Sequence, residues 1–226
     1  MPKRQSRFTP QEIAADPRLE DQSPDLWDES LSQVERGLLT SAVRCFAANG
    51  YHATTTRDIA AGVGLSPAAL YVHFPSKELV LFEIMRTGHE RALACVREPA
   101  AGAPGGAADR LASMVARYTA WHANHHVAAR VCQYGLPGLT PAHYDEIIQL
   151  RHQTNEVFRQ VIEQGIAAGT FPPADVNRLV RGMLSLSIDL ARWYRCDGPD
   201  SPEQLAGCYA DLALKMVMSK GAGAGG

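Results

Sequence analysis

Two helix-start signals eleven residues apart, with a glycine between them, constrain this chain more than any other feature. Thr55 stands where an N-cap is wanted and Asp58, three residues on, is placed to return the bond, so a helix is predicted to open at Thr56. Ile59 and Val63 then share one apolar face. Gly64 supplies a residue free to take positive φ, and Ser66 followed by Pro67 supplies a second N-cap and a favoured first helical position. Leu70 and Phe74 give the second helix an apolar stripe, and Pro75 ends it by pushing the preceding residue out of the α region. Its outer face is left with Ala68, Ala69, Tyr71, Val72 and His73. Such a pair reads either as a helix-turn-helix, whose second helix enters a major groove, or as an ordinary hairpin in a helical core.

The longer stretch LLTSAVRCFAANGYHATTTRDIAAGVGLSPAALYVHFPSKELVLFEIM resembles the DNA-binding region of the TetR family of bacterial transcription regulators. The matching positions are Phe46, Gly50, Tyr51, the threonine run, Asp58-Ile59-Ala60, Gly64, Ser66, Leu70-Tyr71, His73-Phe74 and Ser76-Lys77-Glu78. The resemblance implies that Thr56 and Arg57 open the first motif helix against the DNA backbone and that Ser66, Pro67, Ala68 and Ala69 face the groove. Tyr71, His73 and Lys77 would touch phosphates, with Val72 beside them. The family often carries a lysine, a glycine and a hydroxyl residue where this chain has Pro67, Ala68 and Ala69. Base hydrogen bonding is therefore thin, and thymine-methyl contact, backbone contact and DNA shape carry more of the specificity.

Charge alone does not suggest nucleic acid. The formal net charge is −2, and residues 32–78 carry four basic against three acidic side chains, a net of +1. Affinity then depends on placed contacts, on backbone N–H groups at the helix starts near Thr56 and Ser76, and on a two-fold dimer that doubles each contact.

Residues 1–31 hold scattered proline and charge with little periodicity, and are expected to form a mobile arm whose basic end either reaches a minor groove or stays solvated. A capping box, Ser32 with Glu35, opens a helix that stops at Asn49-Gly50. Residues 32–78 form the expected DNA-binding domain. Residues 79–220 form an effector-binding and dimerisation domain, and residues 221–226 a disordered tail. A long helix is expected from Ser76 to about Arg97, broken by AAGAPGGAA, and helical patterns fill the rest without strand-like alternation. The expected fold is all-α with about nine helices. No apolar run approaches a membrane span of roughly 18 residues, and no signal core follows the charged start, so a cytoplasmic protein is expected. The five cysteines, widely spaced and without a CxxC pair, read as reduced thiols.

The last two helices are apolar on more than one side, which points to a two-fold subunit interface through Leu190, Trp193, Leu205, Tyr209, Leu212 and Met216. TetR relatives dimerise through this pair, and the tail from Ala191 to Val217 resembles a subgroup tied to fatty-acid and acyl-coenzyme A metabolism. No arginine lies on Met183–Ala191 to pair a coenzyme A phosphate. An effector site is expected among Phe82, Trp121, Tyr134, Phe158 and Met183, with His125, Arg151 and Asn155 orienting a polar head.

Two function classes stand at this point. One is a regulator, most simply a repressor, that leaves an approximately palindromic operator when it binds a small-molecule effector. The other is a helical metal-dependent enzyme using His122 and His126, four apart, with His143 or His152. Against the enzyme, no carboxylate stands at HExxH spacing, no catalytic triad or phosphate loop is recognisable, and no catalytic residue, metal or cofactor is assigned.

Overall fold

The computed structural model describes residues 8–102 and 105–219. Among them are ten α-helices: α1 (Pro10–Ala14), α2 (Gln33–Asn49), α3 (Thr56–Ala61), α4 (Pro67–His73), α5 (Lys77–Gly102), α6 (Ala107–Asn124), α7 (His126–Tyr134), α8 (Pro141–Ala167), α9 (Val176–Trp193) and α10 (Pro202–Met218). Three short 3₁₀ turns, at Pro17–Leu19, Ser23–Leu26 and Leu136–Gly138, complete the order, and the described residues contain no strand. The nine expected helices are all present, and α1 is added. None of the described helices is long and apolar enough to cross a membrane.

Local chemistry sets the helix starts. The capping boxes Ser32/Glu35 and Thr55/Asp58 both close reciprocally, and a third, Ser201/Gln204, opens α10. Gly50 ends α2 at φ +78°, and Gly64 takes φ +70° in the turn between α3 and α4, where a side chain would be strained. Two boundaries differ from expectation. α3 closes at Ala61, so Val63 falls in the turn and is only half-buried, whereas Ile59 is fully buried. α5 runs through Pro99 to Gly102, beyond the expected end near Arg97.

The chain divides into two compact units, one made of the residues up to His89 with Asn124–Ile148, the other of Glu90–Ala123 with the residues from Gln149 on. This division does not follow the expected boundary at residue 78. In the first unit α2 is the hub, packing on α1, α3, α7 and the turns at Pro17–Leu19 and Ser23–Leu26. Leu38, Leu39, Ala42, Ile59, Leu70, Val80, Leu81 and Ile84 lie fully buried in it. At about 1.5–3 kcal/mol for each large apolar side chain removed from water, this core fixes the motif helices.

Residues 8–31, expected as part of an arm, pack onto the first unit. Ile13, Leu19, Leu26 and Trp27 are buried, and the Trp27 indole N–H donates to Thr40 Oγ1 at 2.8 Å. The Asp21 carboxylate accepts from the Val127 amide at 2.8 Å, and the Gln22 amide donates to the Asn124 carbonyl at 2.9 Å. The apolar residues responsible are too few and too irregularly spaced to show a helical period. The basic end before Phe8 and the tail 221–226 lie outside the described residues.

In the second unit, α9 packs on α10. Gly182 lies against the end of the Met216 side chain, where a Cβ would come within 2.9 Å of Met216 Cε. Leu190, Tyr194, Leu205 and Ala123 form one buried cluster with Tyr209 packed against it. Leu190 and Leu205 therefore serve the chain's own core, which corrects their expected place in a subunit interface.

Candidate nucleic-acid interface

The motif helices are held by three contacts of the α2–α3 region. The Ser41 hydroxyl donates to the Ile59 carbonyl at 2.8 Å, and the Thr54 hydroxyl reaches the Cys45 carbonyl at 3.0 Å. Gly62 completes the approach, since a Cβ there would lie 2.2 Å from Ser41 Oγ. Burial pushes the Cys45 thiol up to about 11, so it stays neutral within this packing.

On α4, Leu70 and Phe74 face inward as expected, and the opposite side is open: Tyr71 is 52% and Val72 80% exposed. Ser66 caps the helix by accepting from the Ala69 amide at 3.3 Å, and Ser66 and Ala68 are exposed, with Pro67 and Ala69 half-buried. Thr56 and Tyr71 meet hydroxyl to hydroxyl at 3.4 Å, tying the start of α3 to the outer face of α4. Arg57 is exposed on the first turn of α3. The exposed Arg57, with the paired Tyr71 and Thr56 hydroxyls, adds polar groups beside the exposed apolar residues Ala68 and Val72, which share one face of α4. That combination suits a phosphate backbone with a thymine methyl beneath it.

Two expected phosphate contacts are engaged elsewhere. Lys77 Nζ donates to the carbonyls of Tyr51 and Thr54, both at 2.7 Å, and sits 4.2 Å over the Tyr51 ring. Burial lowers the basicity of this ammonium. Lys77 thus clamps the α2–α3 loop to the start of α5 and is not a freely presented phosphate anchor. His73 turns toward α2, with Nδ1 3.7 Å from Glu35 Oε1. The hydroxyl and backbone N–H of Ser32, with a smaller contribution from His73, hold the Glu35 carboxyl below its usual range.

The expected effector residues are distributed between the units. Phe82 belongs to the first, where it stacks on His143 at 3.8 Å, and the His143 ring in turn meets Glu78 Oε1 at 2.7 Å. His125, at the start of α7, is also in the first unit, as is Tyr134, which is 63% exposed. Trp121, Phe158 and Met183 are buried in the second, where Arg151 is half-buried and Asn155 exposed. Surface exposure corrects the expectation that Tyr134 and Asn155 face an enclosed site.

Within the second unit a chain of rings runs from Phe158, edge-on to Tyr118 at 5.9 Å, through Tyr118 and His122 at 4.3 Å, to Trp121 at 4.9 Å. Beside Tyr118 in sequence, the fully buried hydroxyl of Thr119 meets that of Ser187 at 3.0 Å. Sequence reasoning passed over Thr119 and Ser187, because a lone hydroxyl on a helix signals nothing until its partner from another helix is known. His122 and His126 lie on α6 and α7, on either side of a helix end, so their spacing of four does not place them on one face. The His122 Nδ1 atom instead meets the Tyr118 carbonyl at 2.8 Å.

On α9 and α10, Trp193 is 42% and Leu212 39% exposed, with Leu186 and Met218 exposed as well and Met216 half-buried. These side chains remain open where Leu190 and Leu205 do not.

Residues 38–84 match the model for bacterial regulatory proteins of the tetR family, and residues 104–217 match that for the tetracyclin repressor-like C-terminal domain. The chain is 30% identical over 186 residues to the HTH-type transcriptional repressor KstR2 of Mycobacterium tuberculosis, covering 81% of this chain and 92% of that one. A solved bacterial regulatory protein in the tetR family from Rhodococcus RHA1 superposes with a TM-score of 0.77 at 40% identity, over 83% of this chain and 98% of the other. The solved ketosteroid transcriptional regulator KstR2 of M. tuberculosis also gives 0.77, at 27% identity over 84% of this chain and 98% of that one.

Proposed function

The chain belongs to the TetR family of bacterial transcription regulators, a DNA-binding family and not an enzymatic one, and from that premise we propose that it is a cytoplasmic repressor released from its operator by an apolar effector with an acidic head. Regulators of this family bind duplex operator DNA as homodimers and respond to small molecules. The repressor assignment is supported by the likeness to KstR2. The observation that carries the DNA reading is the open face of α4, with Tyr71 and Val72 projecting beside Thr56 and Arg57.

In this proposal residues 32–78 are the DNA-binding domain, and Thr56, Arg57, Ser66, Pro67, Ala68, Ala69, Tyr71 and Val72 meet the duplex. His73 and Lys77 support that surface from behind through Glu35 and the Tyr51–Thr54 loop. The subunit interface uses the open apolar side chains Leu186, Trp193, Leu212 and Met218 of α9 and α10. The effector is a carboxylate or acyl thioester with a large apolar body. Support comes from Trp121, Phe158 and Met183 buried in one unit with the polar groups of His122, Thr119 and Ser187. The description of the solved KstR2 as a ketosteroid regulator also favours an apolar effector.

Operator release tests the reading. Fluorescence anisotropy with duplexes covering the DNA upstream of the chain's own gene is expected to show dimeric binding. Medium- and long-chain acids or their coenzyme A esters then weaken it, and a coupling of about 3 kcal/mol corresponds to roughly 150-fold. Release by cationic compounds and by no acid or thioester would defeat the effector class while leaving the regulator assignment intact.

A further inference from the structure

The first unit contains a cavity of about 550 Å³ walled by α1, the Ser23–Leu26 turn, α2 and the end of α3. That volume lies within the usual range of small-molecule sites, about 300–1,000 Å³. Its apolar wall includes Ile13 and Trp27, both buried, together with Val63. Its polar wall is cationic: Arg36 and Arg44 both line it, eight residues apart on α2 and thus roughly 12 Å along the helix axis.

Of the other polar side chains of the lining, the Thr40 and Ser41 hydroxyls are already used, and Gln33 lies on an exposed position. The Thr40 hydroxyl accepts from Trp27 and donates to the Arg36 carbonyl, and the Ser41 hydroxyl donates to Ile59. Cys45 lines the cavity as a neutral thiol, and no carboxylate lines it. Of the carboxylates adjacent in sequence to its lining, Glu12 is committed to Thr9, Glu35 to Ser32 and Asp28 to the Ser30 amide, while Asp25, beside Pro24, is exposed. Neither Arg36 nor Arg44 makes a side-chain hydrogen bond or ion pair among the described residues. Two guanidinium groups without a counter-charge, set at the edge of an aromatic and aliphatic wall, attract an anion that also has apolar surface to bury.

We propose that this cavity is a second small-molecule site, separate from any effector site in the other unit, that takes an organic anion with an apolar body, of the size and chemistry of a medium-chain fatty acid. Its head meets Arg36 or Arg44 and its chain lies along Trp27 and Ile13. Because Gly62 and Val63 also line the cavity, the occupant abuts the turn of the helix-turn-helix.

The test uses the full chain labelled with 5-fluorotryptophan, whose three tryptophans give ¹⁹F resonances assigned by single Trp→Phe substitutions. Decanoate is expected to shift the Trp27 resonance saturably, and decanol at the same concentrations to leave it in place. The double variant Arg36→Gln/Arg44→Gln weakens decanoate binding read at Trp27 by about tenfold or more, the equivalent of one charge-assisted hydrogen bond. Any response at Trp121 is unchanged by that variant. Ala14→Phe, at an exposed rim position, abolishes the Trp27 response and serves if the double variant does not fold. A Trp27 resonance unmoved by decanoate, or moved equally by decanol and in both variants, overturns the proposal.

Discussion

Replacing Lys77 by Met separates a structural role from a DNA contact. The substitution keeps the apolar stem and removes two charge-assisted hydrogen bonds of 2.7 Å and a cation–π contact at 4.2 Å. Hydrogen bonds to charged groups are worth about 1.5–3 kcal/mol each, and a partly exposed cation–π contact about 0.5–1 kcal/mol. The site is only half-buried, so water recovers part of the loss at the Tyr51 and Thr54 carbonyls, and the ammonium no longer has to be desolvated. A net destabilisation of about 2–3 kcal/mol remains, small enough against a usual total of about 5–15 kcal/mol to leave the chain folded. Urea denaturation measures this directly. The salt dependence of operator affinity then decides the role. A phosphate contact contributes about 0.9 to the slope of log K against log salt, or about 1.8 for the two copies in a dimer. For Lys77→Met the slope should stay at the wild-type value while the urea midpoint falls. For Arg57→Ala, whose side chain is exposed, the slope should drop by about 1.8 with no change in midpoint. A Lys77 variant of unchanged stability and reduced slope would refute the clamp and return this residue to the DNA surface.

Leu212→Glu should yield a folded monomer by sedimentation, because this side chain is open in the single chain. Leu190→Glu should unfold it, because an unpaired charge would enter a fully buried cluster. Gly62→Ala is expected to cost about 1–3 kcal/mol in urea denaturation through its clash with Ser41, with part of that recovered when Ser41→Ala is added. The Ser32 hydroxyl and backbone N–H hold the Glu35 carboxyl below the usual carboxylate range, so as pH falls the unfolded chain binds the extra proton first. Its contribution is present above the ordinary glutamate range and disappears as pH falls through the lowered one, and Glu35→Gln should flatten this part of the acid limb of a stability curve. Thiol titration with an aromatic disulfide should modify Cys196 in the native chain and reach Cys45 and Cys132 only on unfolding, since both are buried.

The helix starts of the motif region and the end of α2 were readable from the chain because they depend on residues within one turn of each other. Ser32 with Glu35, Thr55 with Asp58, Ser66 with Pro67, and Gly50 and Gly64 each act through bonds or backbone angles that need no distant partner. The outward face of α4 was equally legible, since once Leu70 and Phe74 are inside, helical geometry sends Tyr71 and Val72 out. What a polar or apolar side chain does with a remote partner was not legible. Lys77 could have met phosphate or the carbonyls of Tyr51 and Thr54, more than twenty residues away. Leu190 and Leu212 are the same residue type on adjoining helices, yet one closes the chain's own core and the other stays open. Trp27 and Ile13 lie in a segment without a helical period, yet both are buried in the first unit. Local propensity is written along the chain, but burial is a competition among all apolar surfaces at once, and only the packed tertiary structure decides which of them win.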